Sequence, residues 1–330
     1  MKKRLFSGIQ PDGHLHIGNY LGSIKSWVKL QDEYECFFCV VDLHAMTVDY
    51  DVEEFREFAF ETAALFVACG VDPGKSTIFL QSQVPEHAEL AWILNTITPM
   101  ALLERMTQFK DKAKVQKKNV NVGLFNYPVL QAADILAYKG EVVPVGEDQC
   151  QHLELSRDIA RKFNRRFGLT FPEPQTILNE TPRIMGLDGE SKMSKSRGNG
   201  ILLLDAPDVV EKKIRGAVTD PARKRRRDSG DPNICNIFSL HKVFSTSEQI
   251  STIEKDCKCA AIGCVDCKKT LIENVVDFLA PIQARYLDLK RDPGIIDGIF
   301  KDGLAKARKI ASQTMAEVRS KAGLRQTPVS

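Results

Sequence analysis

The chain of 330 residues has no long apolar run, few aromatic residues and almost no net charge. Its longest apolar stretch, Cys36–Val41, suits one buried strand and falls far short of the ~18 residues a membrane helix needs, so no membrane partner is expected. After the basic start Met1-Lys2-Lys3-Arg4 comes Phe6-Ser7-Gly8-Ile9-Gln10-Pro11, not an apolar leader core, so a cytoplasmic location is expected. A net charge of +3 names no partner. The nine cysteines are odd in number, which argues against a disulfide framework in a chain without a leader. Internal repeats and low-complexity segments are missing as well.

What is present is the balance of a globular protein, 43% apolar and 27% charged. At about 100–200 residues per domain, the length suggests two domains. In the first half, strands expected over 4–8, 35–42, 76–81 and 142–145 alternate with helices over 17–33, 52–68, 85–94 and 148–167. That alternation predicts an α/β fold with a Rossmann-like, doubly wound parallel sheet. After Phe171 come prolines and the polar stretch 186–200, and beyond Asp205 the periodicity is helical. The expected organisation is a catalytic domain over 1–186, a junction over 187–204 and a mainly helical domain over 205–330, whose last helices pack back on the first domain.

Two short segments carry the chemistry. His14-Leu15-His16-Ile17-Gly18-Asn19 lies between the first strand and the first helix. Such a turn at the carboxyl edge of a parallel sheet is where these folds take nucleotides, and Gly18 lets a ligand approach the backbone. The second is Ser191-Lys192-Met193-Ser194-Lys195-Ser196-Arg197-Gly198-Asn199. Ammonium groups on flexible stems can follow a phosphate group and stabilise charge on a leaving pyrophosphate. Each segment alone also has a plain explanation, as a helix start and as a solvated linker. A run of cations, Arg223–Arg227, reads as a solvated loop or a phosphate contact.

Together, His-Ile-Gly-Asn and Lys-Met-Ser-Lys-Ser resemble the two signatures of class I aminoacyl-tRNA synthetases. Asn19 departs from the usual second histidine, a substitution familiar in the tryptophan branch. The segments 6–11, 18–22, Asp42-Leu43-His44-Ala45, 103–110, Ala132-Ala133-Asp134-Ile135-Leu136 and Val145-Gly146-Glu147-Asp148-Gln149 are similar to tryptophanyl-tRNA synthetases. The resemblance implies a tryptophan–tRNA ligase, which makes tryptophanyl-adenylate from L-tryptophan and ATP with Mg²⁺ and transfers the amino acid to tRNA(Trp). It also implies a homodimer. For ATP it implies Gln10, His16, Gly18, Asn19, Gly146, Asp148 on the ribose, Lys192, Met193, Ser194 and Lys195. His16, Lys192 and Lys195, joined by Lys112, would form the catalytic set. For tryptophan it implies Asp134 on the indole N–H, Phe6 and His44 as pocket walls, Tyr127, Gln131 and Gln149 at the α-amino group, and Gln108 near the carboxylate.

The residues themselves agree on one point. Gln131, Asp134 and Tyr138 share a face of a helix that Tyr127-Pro128 is expected to open. A carboxylate on an otherwise apolar face wants a donor, and an indole N–H is donor only. The phenol of tyrosine can also donate, so tyrosyl specificity is the nearest alternative. A free nucleotidyltransferase and a catalytically inactive iron–sulfur sensor of nucleic acids are more distant ones.

Five cysteines crowd into 235–267, which in a reducing compartment points to a metal centre. Only Cys264 and Cys267 have knuckle spacing, whereas a zinc ribbon usually shows two such knuckles. The resemblance extends to a subset of the family that carries a 4Fe–4S cluster, implying Cys235, Cys257, Cys264 and Cys267 as ligands, with Cys259 as the alternate second one and zinc as the alternative occupant. Lys255, Lys258, Lys268 and Lys269 would face tRNA around it. Cys36 and Cys39, three apart on a strand, face opposite ways and read as core.

Overall fold

The computed structural model describes residues 2–110, 120–146, 149–178, 184–194 and 197–325. These fall into two compact units, one of residues 1–13, 23–180 and 292–330, the other of 14–22 and 181–291. Among the described residues, no helix is long and apolar enough to cross a membrane.

The first unit is built on a parallel sheet of β1 (Arg4–Ile9), β2 (Glu35–Val40), β3 (Ser76–Leu80), β4 (Val142–Val145) and β5 (Gln175–Leu178), in the order β3-β2-β1-β4-β5. β2 is buried along nearly its whole length, as expected for a strand covered on both faces. Cys36 and Cys39 are both in the core, and burial pushes the Cys36 thiol up to about 12. β1 pairs with β2 from Arg4↔Glu35 to Ile9↔Val40, but with β4 at Leu5↔Val142. Pro144 has no N–H to donate. The strand order reverses at β1/β4, the place where such sheets take ligands. Gly8 sits in β1 because any Cβ there would lie 2.7 Å from Val41 Cγ1 and 2.9 Å from the Cys39 carbonyl.

Strand β5 is not legible as a strand in the sequence: Gln-Thr-Ile-Leu lies among prolines, and its residues are half-buried or exposed at an edge. Two helices also differ from expectation. The helix read over 17–33 is α1 (Ile17–Asn19), a wider π turn over Tyr20–Ile24 and α2 (Lys25–Leu30). The helix expected to open at Tyr127-Pro128 opens earlier. Asn121 caps it through Leu124 N (2.9 Å), and Pro128 lies inside.

Helix α1 belongs to the second unit; the first unit holds α2, α3 (Asp42–Ala45), α4 (Val52–Ala68), α5 (Glu86–Asn95), α6 (Met100–Glu104), α7 (Val122–Ala137), α8 (Cys150–Phe167) and, from the far end of the chain, α13 (Pro293–Lys321). Helix α13 packs on β3 with a stripe of small residues, Gly303, Ala307 and Ala311. A Cβ at Gly303 would lie 1.8 Å from the Ile78 carbonyl oxygen, so helix and strand backbones touch there.

The second unit packs α9 (Pro207–Gly216), α10 (Asn236–Phe244) and α12 (Cys264–Arg291) around Val210, Ile214, Phe238, Leu271, Val275 and Leu279, with α11 (Ser247–Lys258) beside α10. Residues 15–17 pair with 201–203 through Ile17 N to Ile201 O (2.9 Å) and Leu203 N to Leu15 O (2.8 Å). Gln283 Nε2 donates to the carbonyls of Leu203 (3.0 Å) and Asp205 (2.9 Å), fastening this ladder to α12.

Candidate active site

The short ladder in the second unit solves one problem that sequence distance poses. It brings two signature segments, half a chain apart, into contact. A Cβ on Gly18 would lie 3.7 Å from Met193 Cβ, and Met193 is buried. Asn19 closes the start of α1: its Oδ1 accepts from His16 N (3.0 Å), and its own N–H donates to the His16 carbonyl (2.9 Å). The Asn19 oxygen is thus spent on the backbone, and its NH₂ is the half that could serve a ligand. His16 is buried against Gly18, where any Cβ would lie 2.8 Å from its ring, a clash that only glycine avoids.

The lysine segment is a small hairpin. Gly186 N donates to Ser191 O (2.7 Å) and Met193 N to Ile184 O (3.1 Å), with Met185 opposite Lys192. Alternation along the strand points Met193 inward and leaves Lys192 exposed. Ser194 follows, half-buried. Lys195, Lys112 and Asp148, also expected at the phosphates and ribose, lie outside the described residues.

The first unit holds the other set. On α7, Asp134 is 1% exposed and collects three donors: His44 Nε2 on Oδ2 (2.7 Å), and Gln81 Nε2 (2.7 Å) and His87 Nδ1 (2.6 Å) on Oδ1. Because a carboxylate only accepts, His87 Nδ1 carries the hydrogen, and its Nε2 then accepts from the Tyr138 hydroxyl (2.7 Å). Gln81 is oriented by Leu43 N, which donates to its Oε1 (3.0 Å). Burial alone would raise the Asp134 carboxyl. The electrostatic attraction and hydrogen bonds of the neighbouring His44 and His87 outweigh it and hold the group well below the usual carboxylate range.

Around this hub, Phe6 stacks on Tyr138 with ring centroids 5.6 Å apart. His44, expected as a pocket wall, bonds the carboxylate and stands edge-on to Tyr127 at 6.3 Å. The Tyr127 hydroxyl meets His152 Nε2 at 2.9 Å, and burial pushes its pKa up to about 12. Gln131 is half-buried one turn before Asp134. Gln149 precedes α8, its N–H donating to the Gly146 carbonyl (3.0 Å), while Gln10 follows β1 and Gln108 precedes the undescribed segment 111–119.

Sequence reading missed Gln81, His87 and His152. The first two sit where β3 runs into the next helix, a position at the carboxyl edge of the sheet that could have flagged them. His152 sits on α8, and only packing brings it to Tyr127.

The five crowded cysteines, 235–267, occupy the second unit. Burial, and then the neighbouring thiols of Cys235, Cys257 and Cys264, push Cys267 up to about 12. Cys257 is likewise raised by burial and by Cys235 and Cys264, with Arg223 opposing. Cys259 is exposed, and its thiol donates to the Asp256 carbonyl (3.7 Å). Arg223 Nη1 donates to Cys257 Sγ (3.7 Å), and His241 Nε2 is 3.4 Å from Cys267 Sγ. Among the described residues, no group of three or more His, Cys, Asp or Glu side chains is arranged to hold a metal ion. Of the nearby lysines, Lys268 is committed to the carbonyls of Arg215 (2.7 Å) and Ala217 (2.6 Å), and Lys258 to Glu254 (2.6 Å).

Comparison with known proteins is consistent along the chain. Residues 1–280 match the family described as tRNA synthetases class I (W and Y). A tryptophan–tRNA ligase of Deinococcus radiodurans is 50% identical over 97% of this chain and 98% of the relative, and one of Wolinella succinogenes is 46% identical over 98% and 99%. The tryptophanyl-tRNA synthetase of Campylobacter jejuni, solved with ADP and tryptophan, superposes with a TM-score of 0.88 at 40% identity, covering 97% of this chain and all of that one.

Proposed function

Since the chain belongs to the tryptophan branch of the class I tRNA synthetases, we propose how its own side chains divide the work of that reaction. It is a tryptophan–tRNA ligase. The tryptophan carboxylate attacks the α-phosphorus of ATP, pyrophosphate leaves, and the 3′ end of tRNA(Trp) then takes the amino acid from the adenylate. Mg²⁺ enters with the ATP substrate. Activation of this kind needs positioning and charge stabilisation, with no covalent nucleophile from the protein.

The observation that carries the specificity assignment is the occupancy of Asp134. A carboxylate offers about four acceptor positions. Oδ1 takes two donors, from Gln81 and His87, and Oδ2 takes one, from His44. The open position is the second one on Oδ2, and it is assigned to the indole N–H. Phe6 and the Tyr138 ring lie behind the hub, Tyr127 and Gln131 are on the same helix for the α-amino group with Gln149, and Gln108 is assigned to the carboxylate. Phenylalanine would leave Oδ2 short of a donor, a rejection by factors of about 10⁴–10⁵ in sites built on such a bond. Tyrosine donates too, so the discriminating experiment is ATP–pyrophosphate exchange with each amino acid. Exchange with tryptophan alone is expected, and equal exchange with tyrosine would overturn the assignment.

For ATP, Gln10, His16, Gly18, Asn19, Gly146 and Asp148 take the nucleoside and Lys192, Met193, Ser194 and Lys195 the phosphates, with Lys112 added from the segment after Thr107. The ammonium groups would neutralise pyrophosphate as it develops. Location in the cytoplasm accords with the substrates. A homodimer is supported by large apolar side chains in the open on α5 and α6, Trp92 at 72% and Met100 at 65% exposed.

For the cysteines the proposal is a 4Fe–4S cluster on Cys235, Cys257, Cys264 and Cys267, with zinc as the alternative. Its support is that Cys257 and Cys267 each feel the charges of other thiols in this set, and that Arg223 Nη1 donates to Cys257 Sγ (3.7 Å). Such a group would supply a crosslink between α10, α11 and the first turn of α12.

A further inference from the structure

One buried side chain holds the base of the lysine hairpin together. Asn199 is 8% exposed. Its Nδ2 donates to Asp188 Oδ2 (2.8 Å) and Ser191 Oγ (3.1 Å), and its Oδ1 accepts from Ser194 N (2.9 Å). Its carbonyl accepts from Leu187 N (2.8 Å). Asp188 in turn accepts from Glu190 N (3.1 Å) across the turn. A single amide therefore reaches both sides of Lys192, at Ser191 and at Ser194.

The surroundings are shaped for that amide. A Cβ on Gly186 would lie 2.1 Å from Asn199 Nδ2, so only glycine leaves room for it. A Cβ on Gly200 would lie 2.8 Å from Met193 Cγ, which keeps Met193 seated inward. With Met193 inward, strand alternation turns Lys192 outward. Asn199 sits in the return limb and holds residues 191–194 by their backbone and by Ser191 Oγ, its Nδ2 also lying 3.4 Å from the Lys192 carbonyl.

We infer that Asn199 is a positioning residue for the reaction, fixing through Ser191 and Ser194 the face on which Lys192 is presented. The inference rests on the assignment of Lys192 to the ATP phosphates. Lysine is a flexible point charge, so its effectiveness depends on where its backbone is held. Misplacement by about 1 Å can cost up to ~10²-fold in rate.

A double-mutant cycle in ATP–pyrophosphate exchange tests it, with thermal unfolding followed in parallel. Asn199→Ala is expected to lower kcat about tenfold or more with KM for tryptophan unchanged. If Asn199 acts through Lys192, then adding Asn199→Ala to Lys192→Ala should cost less than about twofold further. Fully additive losses, or an unchanged kcat in folded Asn199→Ala, would overturn the inference. The exchanged pair Asp188→Asn with Asn199→Asp keeps an amide facing a carboxylate. It should recover activity lost in Asn199→Asp alone, where two carboxylates meet, and no recovery in a folded double variant counts against the inference. Should Asn199→Ala fail to fold, Asp188→Asn alone, which weakens the same clip, must show the kcat effect. If Lys192→Ala leaves both kcat and KM for ATP intact, the phosphate assignment itself falls. If Lys192→Ala impairs exchange and the Asn199 variants do not, only the positioning role falls.

Discussion

Replacing Asp134 by Asn keeps the shape of the hub and removes one acceptor atom. The consequence follows from the geometry. The amide NH₂ must stand at one of the two carboxylate oxygens. At Oδ1 it would face two donors, Gln81 Nε2 and His87 Nδ1, both committed, the first by Leu43 N on its Oε1 and the second by the Tyr138 hydroxyl on its Nε2. At Oδ2 it faces His44, which can shift its ring hydrogen and accept. The substituted amide should therefore settle with its NH₂ at the Oδ2 position, where the indole N–H would meet a donor. An unsatisfied buried donor costs about 1–3 kcal/mol and the lost charge-assisted bond adds to that, so ~3–4 kcal/mol is expected, or ~10²-fold or more in kcat/KM for tryptophan at 1.4 kcal/mol per tenfold. The KM for ATP should barely move. The assay is tryptophan-dependent ATP–pyrophosphate exchange, with unfolding curves to show that the variant is folded. Near-normal exchange would refute the assignment of Oδ2 to the indole. Asp134→Ala should be worse in a different way. It orphans the His44, Gln81 and His87 donors at once and should lower the unfolding temperature as well.

Three further outcomes follow from other parts of the molecule. Gly303→Ala places a methyl on the Ile78 carbonyl and should destabilise the protein by about 1–3 kcal/mol in denaturant unfolding, whereas Gly298→Ala, with nothing within 4 Å, should not; equal stability of the two refutes the backbone contact between α13 and β3. Of the six tyrosines, Tyr127 and Tyr138 are held up by burial, so alkaline titration followed by phenolate absorbance should show them ionising late. Their raised values make stability complete below an unfolded pKa of about 10 and eroded as pH climbs towards 12, and an unchanged stability between pH 9 and 11.5 in a protein whose Tyr127 titrates normally would contradict the burial argument. Anaerobically purified protein should be brown and contain iron with acid-labile sulfide, both lost in Cys264→Ser but kept in Cys259→Ser, with tryptophan-dependent exchange largely intact in a folded Cys264→Ser protein; stoichiometric zinc without iron would refute the cluster.

Much of this protein is open to reading from residue order alone. The alternation of apolar strands and amphipathic helices determined a parallel α/β sheet, because burial on both faces demands continuous apolar runs like β2. The two signature segments pointed to phosphate chemistry, and it was their resemblance to the class I aminoacyl-tRNA synthetase signatures that implied the reaction class. Asp134 stands out as a charge on an apolar helical face, which has to be satisfied by something. Tertiary structure alone decided by what. Gln81 and His87 come from the stretch that follows β3 and His44 from the one that follows β2, and no periodicity links either place to position 134. The same holds for the pairing of residues 15–17 with 201–203, for Asn199 beneath the lysine hairpin, and for α13 lying on β3 with Gly303 against a carbonyl. Local propensity acts over a few residues and sets which elements form. Which donors a buried carboxylate meets, and which thiols lie together, depends on long-range packing, where close contact between distant segments is selected by shape and by the cost of leaving any polar atom unpaired.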